Sequence, residues 1–351
     1  MFLTEYVRIP SISPRCRAGK RFPPSTKNLD FISQSFEEKL LHRLKTLNPP
    51  SINLSWLSLA FDFLSSIHAE AEALVSDLKL SSSENYIALY LDDSIKLLDL
   101  CNSIVLEIER LRQGRLLIVL EIQRLRRDQV PASEELCRVR NSLSNWGIRS
   151  QILTNRISQS PGALFRDLAR GLRNPPIGKI KTVGKVIDRT IYAVGAVTVL
   201  VGAVMVLVLT QSPETIQIRI PAEFLWADAF NGLASAVSGE IERRFGFGED
   251  RLRFVEEVDD VDARIRGVCD VIDDVVEGRV GGKVGEGNKE KLEKAVEELE
   301  TVTVTLTEGL DRSLDGVNRF FRSVLSTRNS LLGNVGIGSD MKVKLKNEKR
   351  V

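Results

Sequence analysis

Side chains that could carry chemistry are few and widely spaced in this sequence. The two histidines, His42 and His68, each stand alone in a helix-patterned segment, and a lone helical histidine is typical of a surface or boundary position. A zinc site needs three or four clustered ligands, and general acid–base catalysis needs a positioned partner group. The histidines therefore predict neither a metal site nor a catalytic centre, and we expect a protein that is not an enzyme.

Two other patterns resemble binding motifs only superficially. The run Asp259-Asp260-Val261-Asp262 lacks the glycine and the distal glutamate of a calcium loop, so it is typical of a solvated helix face. The glycine-rich range 278–289 contains Gly282-Lys283, but Val284 stands where a phosphate-binding loop needs serine or threonine, and a helix pattern precedes it. This range predicts a flexible connector. No cofactor and no small-molecule substrate is evident from the sequence.

The overall composition excludes some classes of partner. The 351 residues include 49 basic and 47 acidic side chains, a net charge of +2, whereas a general nucleic-acid binder needs a sustained basic excess. The sequence therefore predicts no nucleic-acid partner. The four cysteines have no CxxC spacing and are typical of a reducing compartment; they are Cys16, Cys101, Cys137 and Cys269.

Most of the chain carries the three-to-four residue spacing of amphipathic helices. An N-terminal helical block is predicted over 29–157 and a C-terminal helical block over 221–332. The longest single pattern runs from about 84 to 127, a length that suits an elongated bundle better than a compact globule. The predicted fold class is all-α, a long antiparallel helical bundle with one very hydrophobic helix.

Three segments lack this pattern. Residues 1–28 are basic and rich in proline and serine, which predicts disorder, although an organelle transit peptide has a similar composition. Residues 158–189 form a basic linker containing proline and glycine, and residues 333–351 form a short basic tail that we expect to be disordered.

The segment 190–210 is the very hydrophobic helix. Between Ile191 and Leu209 it contains no charge and no proline. A transmembrane helix needs about 20 consecutive, predominantly apolar residues, which this segment nearly supplies. Gly195 and Gly202 place small residues on one face, where another helix can approach closely. The segment predicts a membrane helix.

A basic flank precedes this helix and predicts its orientation. We expect these side chains to face anionic lipid; they are Lys179, Lys181, Lys185 and Arg189. The excess of positive charge on this side predicts an N-terminal half in the cytosol, with the protein in the endoplasmic reticulum or another endomembrane. A plastid location is the alternative.

The competing interpretation is that 191–209 is the buried core of a soluble bundle, because a fully buried helix is also apolar on every side. The two interpretations differ in one physical consequence. If the segment spans a bilayer, the blocks 29–157 and 221–332 lie on opposite sides and cannot pack together.

Several stretches together resemble the plant BYPASS family. The resemblance covers roughly residues 30–335. Its most specific motif is Tyr90-Leu91-Asp92-Asp93-Ser94-Ile95-Lys96-Leu97-Leu98-Asp99-Leu100-Cys101-Asn102. It extends to Leu54-Ser55-Trp56-Leu57-Ser58-Leu59-Ala60, to Leu111-Arg112-Gln113-Gly114, and to the C-terminal stretches 309–325 and 328–332. Residues 1–28 depart from the family pattern.

The resemblance implies a plant protein without known catalytic activity that is associated with root and shoot development. The founding member of the family prevents excess production of a mobile root-derived signal that arrests shoot growth. The expected function is therefore a membrane-associated regulator that works through protein partners. The alternative is a soluble helical scaffold or adaptor in stress or trafficking pathways.

Overall fold

The computed structural model describes residues 26–47, 51–78, 84–126, 131–146, 161–172, 174–210, 218–245, 255–278 and 285–348. Within these ranges the chain forms nine α-helices and no strand, which confirms the predicted all-α class. The helices are α1 (Thr26–Thr46), α2 (Leu54–Asp77), α3 (Glu84–Leu125), α4 (Ser133–Ser144), α5 (Pro161–Gly171), α6 (Val183–Thr210), α7 (Ala227–Phe245), α8 (Glu256–Glu277) and α9 (Glu286–Glu348).

Some boundaries differ from those the sequence predicts. The range 158–189, interpreted as a linker, contains α5 and the first turns of α6. The predicted helix at 221–245 begins only at Ala227, because residues 221–226 form turns that bury Phe224 and Trp226. Helix α9 continues through 333–348, where we expected a disordered tail, since no proline interrupts it. Most of the N-terminal range 1–28, and 279–284 of the glycine-rich loop, lie outside the described residues.

Helices α2 and α9 pack in parallel at very close range. Leu54 lies against Gly309, and Phe61, seven residues later, lies against Gly316, seven residues after Gly309. A β-carbon added at Gly309 would sit 2.7 Å from Leu54 Cδ1, so the missing side chain is what permits this approach. Further along the interface, the Arg319 guanidinium pairs with Asp62, with Nη2 2.6 Å from Oδ1.

Helix α3 lies antiparallel to α9 on another side of it. Arg112 Nη2 is 3.0 Å from Asp311 Oδ1, and nearer the other end of α9 the Arg328 guanidinium donates to Ser94 Oγ at 2.8 Å. Helix α8 also packs on α9, and α4 packs on α8. The last helix of the chain is therefore in contact with helices from both blocks, and the two blocks form one body.

Helix α6 contains the apolar segment and lies inside this bundle. It packs against α1, α2, α3, α5 and α7, and 78% of its most apolar window is buried by other parts of the chain. Among the described residues, the range Val183–Met205 is the one helix stretch long and apolar enough to cross a membrane. Its valine-rich surface is in contact with protein side chains on most sides.

Candidate functional site

A cavity of about 200 Å³ lies where α2, α3, α5 and α6 meet. Its walls are mostly aliphatic, formed by Leu97, Leu168, Leu172, Ile191, Val194 and Val199. The exposed residues Gly171 and Asn174 also line it, so the cavity opens to solvent beside the end of α5. A partly apolar cavity with a few converging polar groups is the usual form of a small-ligand site, and we treat it as the candidate site.

Three buried polar side chains from three helices meet at the cavity. His68 on α2 is 1% exposed; its Nδ1 lies 3.2 Å from the Tyr90 hydroxyl on α3, and its Nε2 lies 3.1 Å from Thr198 Oγ1 on α6. The Thr198 hydroxyl donates its proton to the Val194 carbonyl oxygen at 2.7 Å. The hydrogen-bonded side chains therefore join the N-terminal block to the apolar helix.

The direction of each bond follows from the number of protons available. A threonine hydroxyl has one proton, and since Thr198 donates it to Val194, Thr198 must accept from the Nε2–H of His68. The other ring nitrogen of the neutral imidazole is then an acceptor, and the Tyr90 hydroxyl donates to it. The result is a hydrogen-bonded relay from Tyr90 through His68 to Thr198.

Burial keeps this relay uncharged. Desolvation lowers the pKa of His68 to about 3, so the imidazole is neutral at physiological pH. Desolvation also raises the pKa of Tyr90 above its usual value, so its hydroxyl keeps its proton. A neutral histidine with both nitrogens hydrogen-bonded is suited to bridging helices. It is poorly suited to abstracting a proton from a substrate.

Charged groups of both signs lie at the more exposed edge of the cavity. Asp93 lines the cavity and is held by Lys96, with Nζ 3.2 Å from Oδ1, and Lys185 contributes an ammonium group to the lining. Burial raises the pKa of Asp93, and the hydrogen bond from Lys96 opposes that rise. The lining also includes Asp188. Because Lys96 pairs with Asp93, the remaining charges of the lining are one carboxylate, Asp188, and one ammonium group, Lys185.

The four residues of the predicted basic flank have different surroundings. Lys179 and Lys181 are exposed, as a lipid-facing flank requires, whereas Lys185 is half-buried at the cavity. Arg189 does not lie on an exposed flank. Its Nη2 is 2.6 Å from Glu37 Oε1, and its guanidinium carbon lies 4.4 Å from the centre of the Phe224 ring. Arg189 lies one helical turn after the half-buried Lys185, and at that point α6 has entered the bundle.

The four residues that mark the apolar segment are likewise separated by the fold. Ile191 is half-buried at the cavity wall, and Gly202 is buried in the bundle. Gly195 faces α5, where an added β-carbon would be 3.2 Å from Leu172 Cδ2, so this glycine allows the close helix approach that the small-residue pattern predicts. Leu209 is in α6, but its side chain lies outside the described residues.

The expectation of a surface or boundary position is correct for His42, which is exposed, and wrong for His68. His68 follows Ile67 on the apolar face of α2, and that position should have indicated burial. The relay itself was missed, because its members are 22 and 130 residues apart in the chain and share no local motif. The one available signal was Tyr90, which opens the most specific stretch of the family resemblance.

Comparison with known proteins agrees with that resemblance. The model of the family described as Protein ROH1-like matches residues 25–171, which include α1 to α5. Protein BPS1, chloroplastic, from Arabidopsis thaliana is 27% identical over 89% of this chain and 85% of its own length. The chain is therefore a homologue of Protein BPS1 and of the ROH1-like proteins, which is consistent with the resemblance to the BYPASS family.

Two rice proteins share a higher identity over a shorter span. UPF0496 protein 4 from the japonica subspecies is 34% identical over 69% of this chain, and its indica counterpart is 34% identical over 68%. The chain spans about half the length of these two relatives, 54% and 53% respectively. No solved structure matches the chain.

The stretches that carry the family resemblance contact each other in the fold. The N-terminal stretch 54–60 meets the C-terminal stretch at Leu54 and Gly309. The stretch 90–102 meets the end of the C-terminal stretch, where Arg328 donates hydrogen bonds to the Leu91 carbonyl and to Ser94. The residues that carry the family resemblance thus form the interfaces of α9 with α2 and α3. Tyr90 and Asp93, from the stretch 90–102, also line the cavity.

Proposed function

We propose that this chain is a non-enzymatic helical regulator of plant root and shoot development that acts through protein partners. Homology with BPS1 supports the developmental role. One observation supports a single helical bundle as the form of this regulator: α2 packs against both α6 and α9, so the apolar helix is part of the same core as the helices before and after it. The fully hydrogen-bonded, neutral His68 supports a structural use of the polar core.

This shared core favours a bundle with α6 inside over a bundle divided by a bilayer. A helix that spans a membrane places its preceding and following segments on opposite faces. Here Asp62, before the segment, pairs with Arg319, after it, and Leu54 is in van der Waals contact with Gly309. A single crossing would break these contacts and expose both faces of the interface to water.

Membrane attachment is the second candidate, supported by the length and composition of 183–205 and by the exposed Lys179 and Lys181. Protease protection of tags at the two termini, combined with alkaline carbonate extraction of cell membranes, separates the candidates. With α6 inside the bundle, both tags are digested or protected together and carbonate releases the protein. Tags on opposite sides of the membrane would contradict the bundle and support a crossing with a cytosolic N-terminus.

The compartment is a separate question. We propose the cytosol and the surface of an endomembrane. The plastid is the alternative, because the relative Protein BPS1 is described as chloroplastic and residues 1–27 of this chain are basic. A fluorescent protein fused to the C-terminus tests this. Plastid fluorescence that disappears when 1–27 are removed would establish the alternative.

The developmental role includes limiting a root-derived mobile signal, by analogy with the founding member of the family. Reciprocal grafting tests this without knowing the chemistry of the signal. Roots that lack this chain should arrest the growth of a normal shoot grafted onto them, whereas the reverse graft should grow normally. Normal shoot growth in both grafts would contradict the signal role and favour a stress or trafficking adaptor.

A further inference from the structure

We propose that the cavity between α2, α3, α5 and α6 is a binding site for a small neutral molecule that consists of one apolar ring and a short hydroxyl- or amide-bearing substituent. The proposal goes beyond the regulatory function above and does not depend on it. It rests on the size of the cavity, the chemistry of its walls and the balance of charge at its edge.

The size of the cavity limits the ligand to a single ring. A dry cavity of about 150 Å³ in another protein holds benzene. The volume here, about 200 Å³, therefore admits a ring with a substituent of a few atoms. A bicyclic or long-chain molecule would have to extend through the opening beside the end of α5 into solvent.

The walls select an apolar ring. On the α6 side, the surface consists of Ile191, Val194 and Val199, and Leu168 and Leu172 face them from α5. Gly195 also lines the cavity, and an added β-carbon there would lie 3.2 Å from Leu172 Cδ2, so this glycine lets the two walls approach closely. Burial of a ring against aliphatic side chains removes apolar surface from water, which is the main driving force for such binding.

The deep polar groups do not demand a polar partner from the ligand. Within the relay, Tyr90 donates to His68, His68 donates to Thr198, and Thr198 donates to Val194. Each of these groups therefore has a partner before any ligand enters. An apolar ring can lie beside the relay without leaving one of these donors unsatisfied.

The edge of the cavity selects a neutral substituent. Lys185, Asp188 and the Lys96–Asp93 pair bring both signs of charge to the opening, so an anionic or a cationic ligand would each meet a like charge. Asn174, also in the lining, offers both a hydrogen-bond donor and an acceptor. A hydroxyl or amide group matches these partners without the desolvation of a full charge.

Three probes with the same ring test the proposal on the purified full-length chain: benzyl alcohol, benzoate and benzylammonium. Isothermal titration or ligand-observed NMR should show saturable binding of benzyl alcohol at least tenfold tighter than that of either charged probe. If none of the three probes binds saturably, the proposed site is wrong. Equal or tighter binding of a charged probe would overturn the neutral ligand class.

Two variants locate the binding. Val199→Phe fills the cavity from α6, and Gly171→Leu covers its opening from an exposed position where the nearest atom to an added β-carbon is Asp93 Oδ2 at 3.7 Å. Each should weaken benzyl alcohol binding at least tenfold, whereas Val304→Phe, at an exposed position on α9, should leave it unchanged. If Val199→Phe fails to fold by circular dichroism, Gly171→Leu decides alone. Unchanged binding in the folded cavity variants would place the probe elsewhere and overturn the proposal.

Discussion

Arg189 and Glu37, 152 residues apart in the chain, form a buried ion pair in which their side chains are only 9% and 3% exposed. Glu37 uses its second oxygen to accept the backbone N–H of Leu225 at 3.1 Å. One carboxylate on α1 therefore holds both the start of the apolar helix and the turn that leads into α7. Because both charges are desolvated, removal of either partner leaves the other without compensation.

Substitution Arg189→Ala should lower the free energy of unfolding by about 3–5 kcal/mol, the usual range when one member of a buried ion pair is removed. The double variant Arg189→Met with Glu37→Gln should recover much of this loss, because no charge remains buried and the glutamine can still accept from Leu225. Urea denaturation followed by circular dichroism measures both.

The matched control is Arg138→Ala, which breaks the exposed pair between Arg138 and Glu134, whose side chains are 73% and 80% exposed. An exposed pair contributes about 0–1 kcal/mol, so this variant should be nearly as stable as the wild type. Equal losses for Arg189→Ala and Arg138→Ala would show that Arg189 lies in water.

Substitution Gly309→Ala should destabilise the protein by about 1–3 kcal/mol, as expected for overpacking a tight interface. The new β-carbon would lie 2.7 Å from Leu54 Cδ1 and 2.9 Å from Leu54 Cβ. Gly267→Ala in α8 is the control, since nothing lies within 4 Å of an added β-carbon there, and it should stabilise by about 0.5–1 kcal/mol. In a Leu54→Ala background, the loss from Gly309→Ala should become smaller. Additive losses would mean that these two residues do not touch.

The buried histidine should make the protein less stable as the pH falls below 6.5. Burial lowers the pKa of His68 from 6.5 to about 3, so between these values the unfolded chain takes up a proton that the folded chain does not. The contribution of His68 is therefore complete above pH 6.5 and is lost as the pH falls towards 3, with a slope of up to about 1.4 kcal/mol per pH unit.

Substitution His68→Gln keeps a donor and an acceptor for Thr198 and Tyr90 but cannot titrate. Chemical denaturation at several pH values between 4 and 8 should show a shallower loss of stability in this variant than in the wild type. His42→Gln, at an exposed position, accompanies it as the control for losing a histidine. Parallel pH profiles for wild type and His68→Gln would argue against a buried neutral imidazole.

A cross-link between α2 and α9 should form inside cells. In a chain whose four cysteines are replaced, Asp62→Cys and Arg319→Cys put thiols at a pair of side chains that are in contact and about half-exposed. A short bismaleimide should join them within one chain, as seen by a shift in electrophoretic mobility after proteolysis between α2 and α9.

The control pair is Asp62→Cys with Glu298→Cys, which lies about 30 Å from position 319 along α9 at ~1.5 Å per residue. This pair should not cross-link. Failure of the Asp62–Arg319 pair in intact cells, together with success in the detergent-purified protein, would show that a membrane separates α2 from α9.

The helices themselves are largely predictable from the sequence, because the apolar face of each appears as apolar residues spaced three or four positions apart. On α2, the predicted face includes Leu54, Leu57, Phe61 and Leu64, and all four are buried. Helix ends are less predictable where proline and glycine are frequent. Helix α5 lies in such a stretch, and its burial of Leu164 and Leu168 against neighbouring helices outweighs the weak local preference.

Only part of the candidate site could be anticipated in this way. Tyr90 and Asp93 belong to a recognisable stretch, and His68 lies on an apolar face, so each could be marked individually. Their meeting with Thr198, and the cavity beside them, depends on the packing of four helices. A pattern with a period of 3.6 residues carries no information about which distant helix it faces.

The sequence by itself determined that this is an all-α protein, homologous to Protein BPS1, with one helix too apolar to face water. What surrounds that helix was decided only by the tertiary structure. Lipid chains and aliphatic side chains satisfy Ile191–Leu209 equally well, because both remove its surface from water. The contacts of Arg189 with Glu37 and of Thr198 with His68 come from residues more than a hundred positions away, and they place the helix inside the bundle.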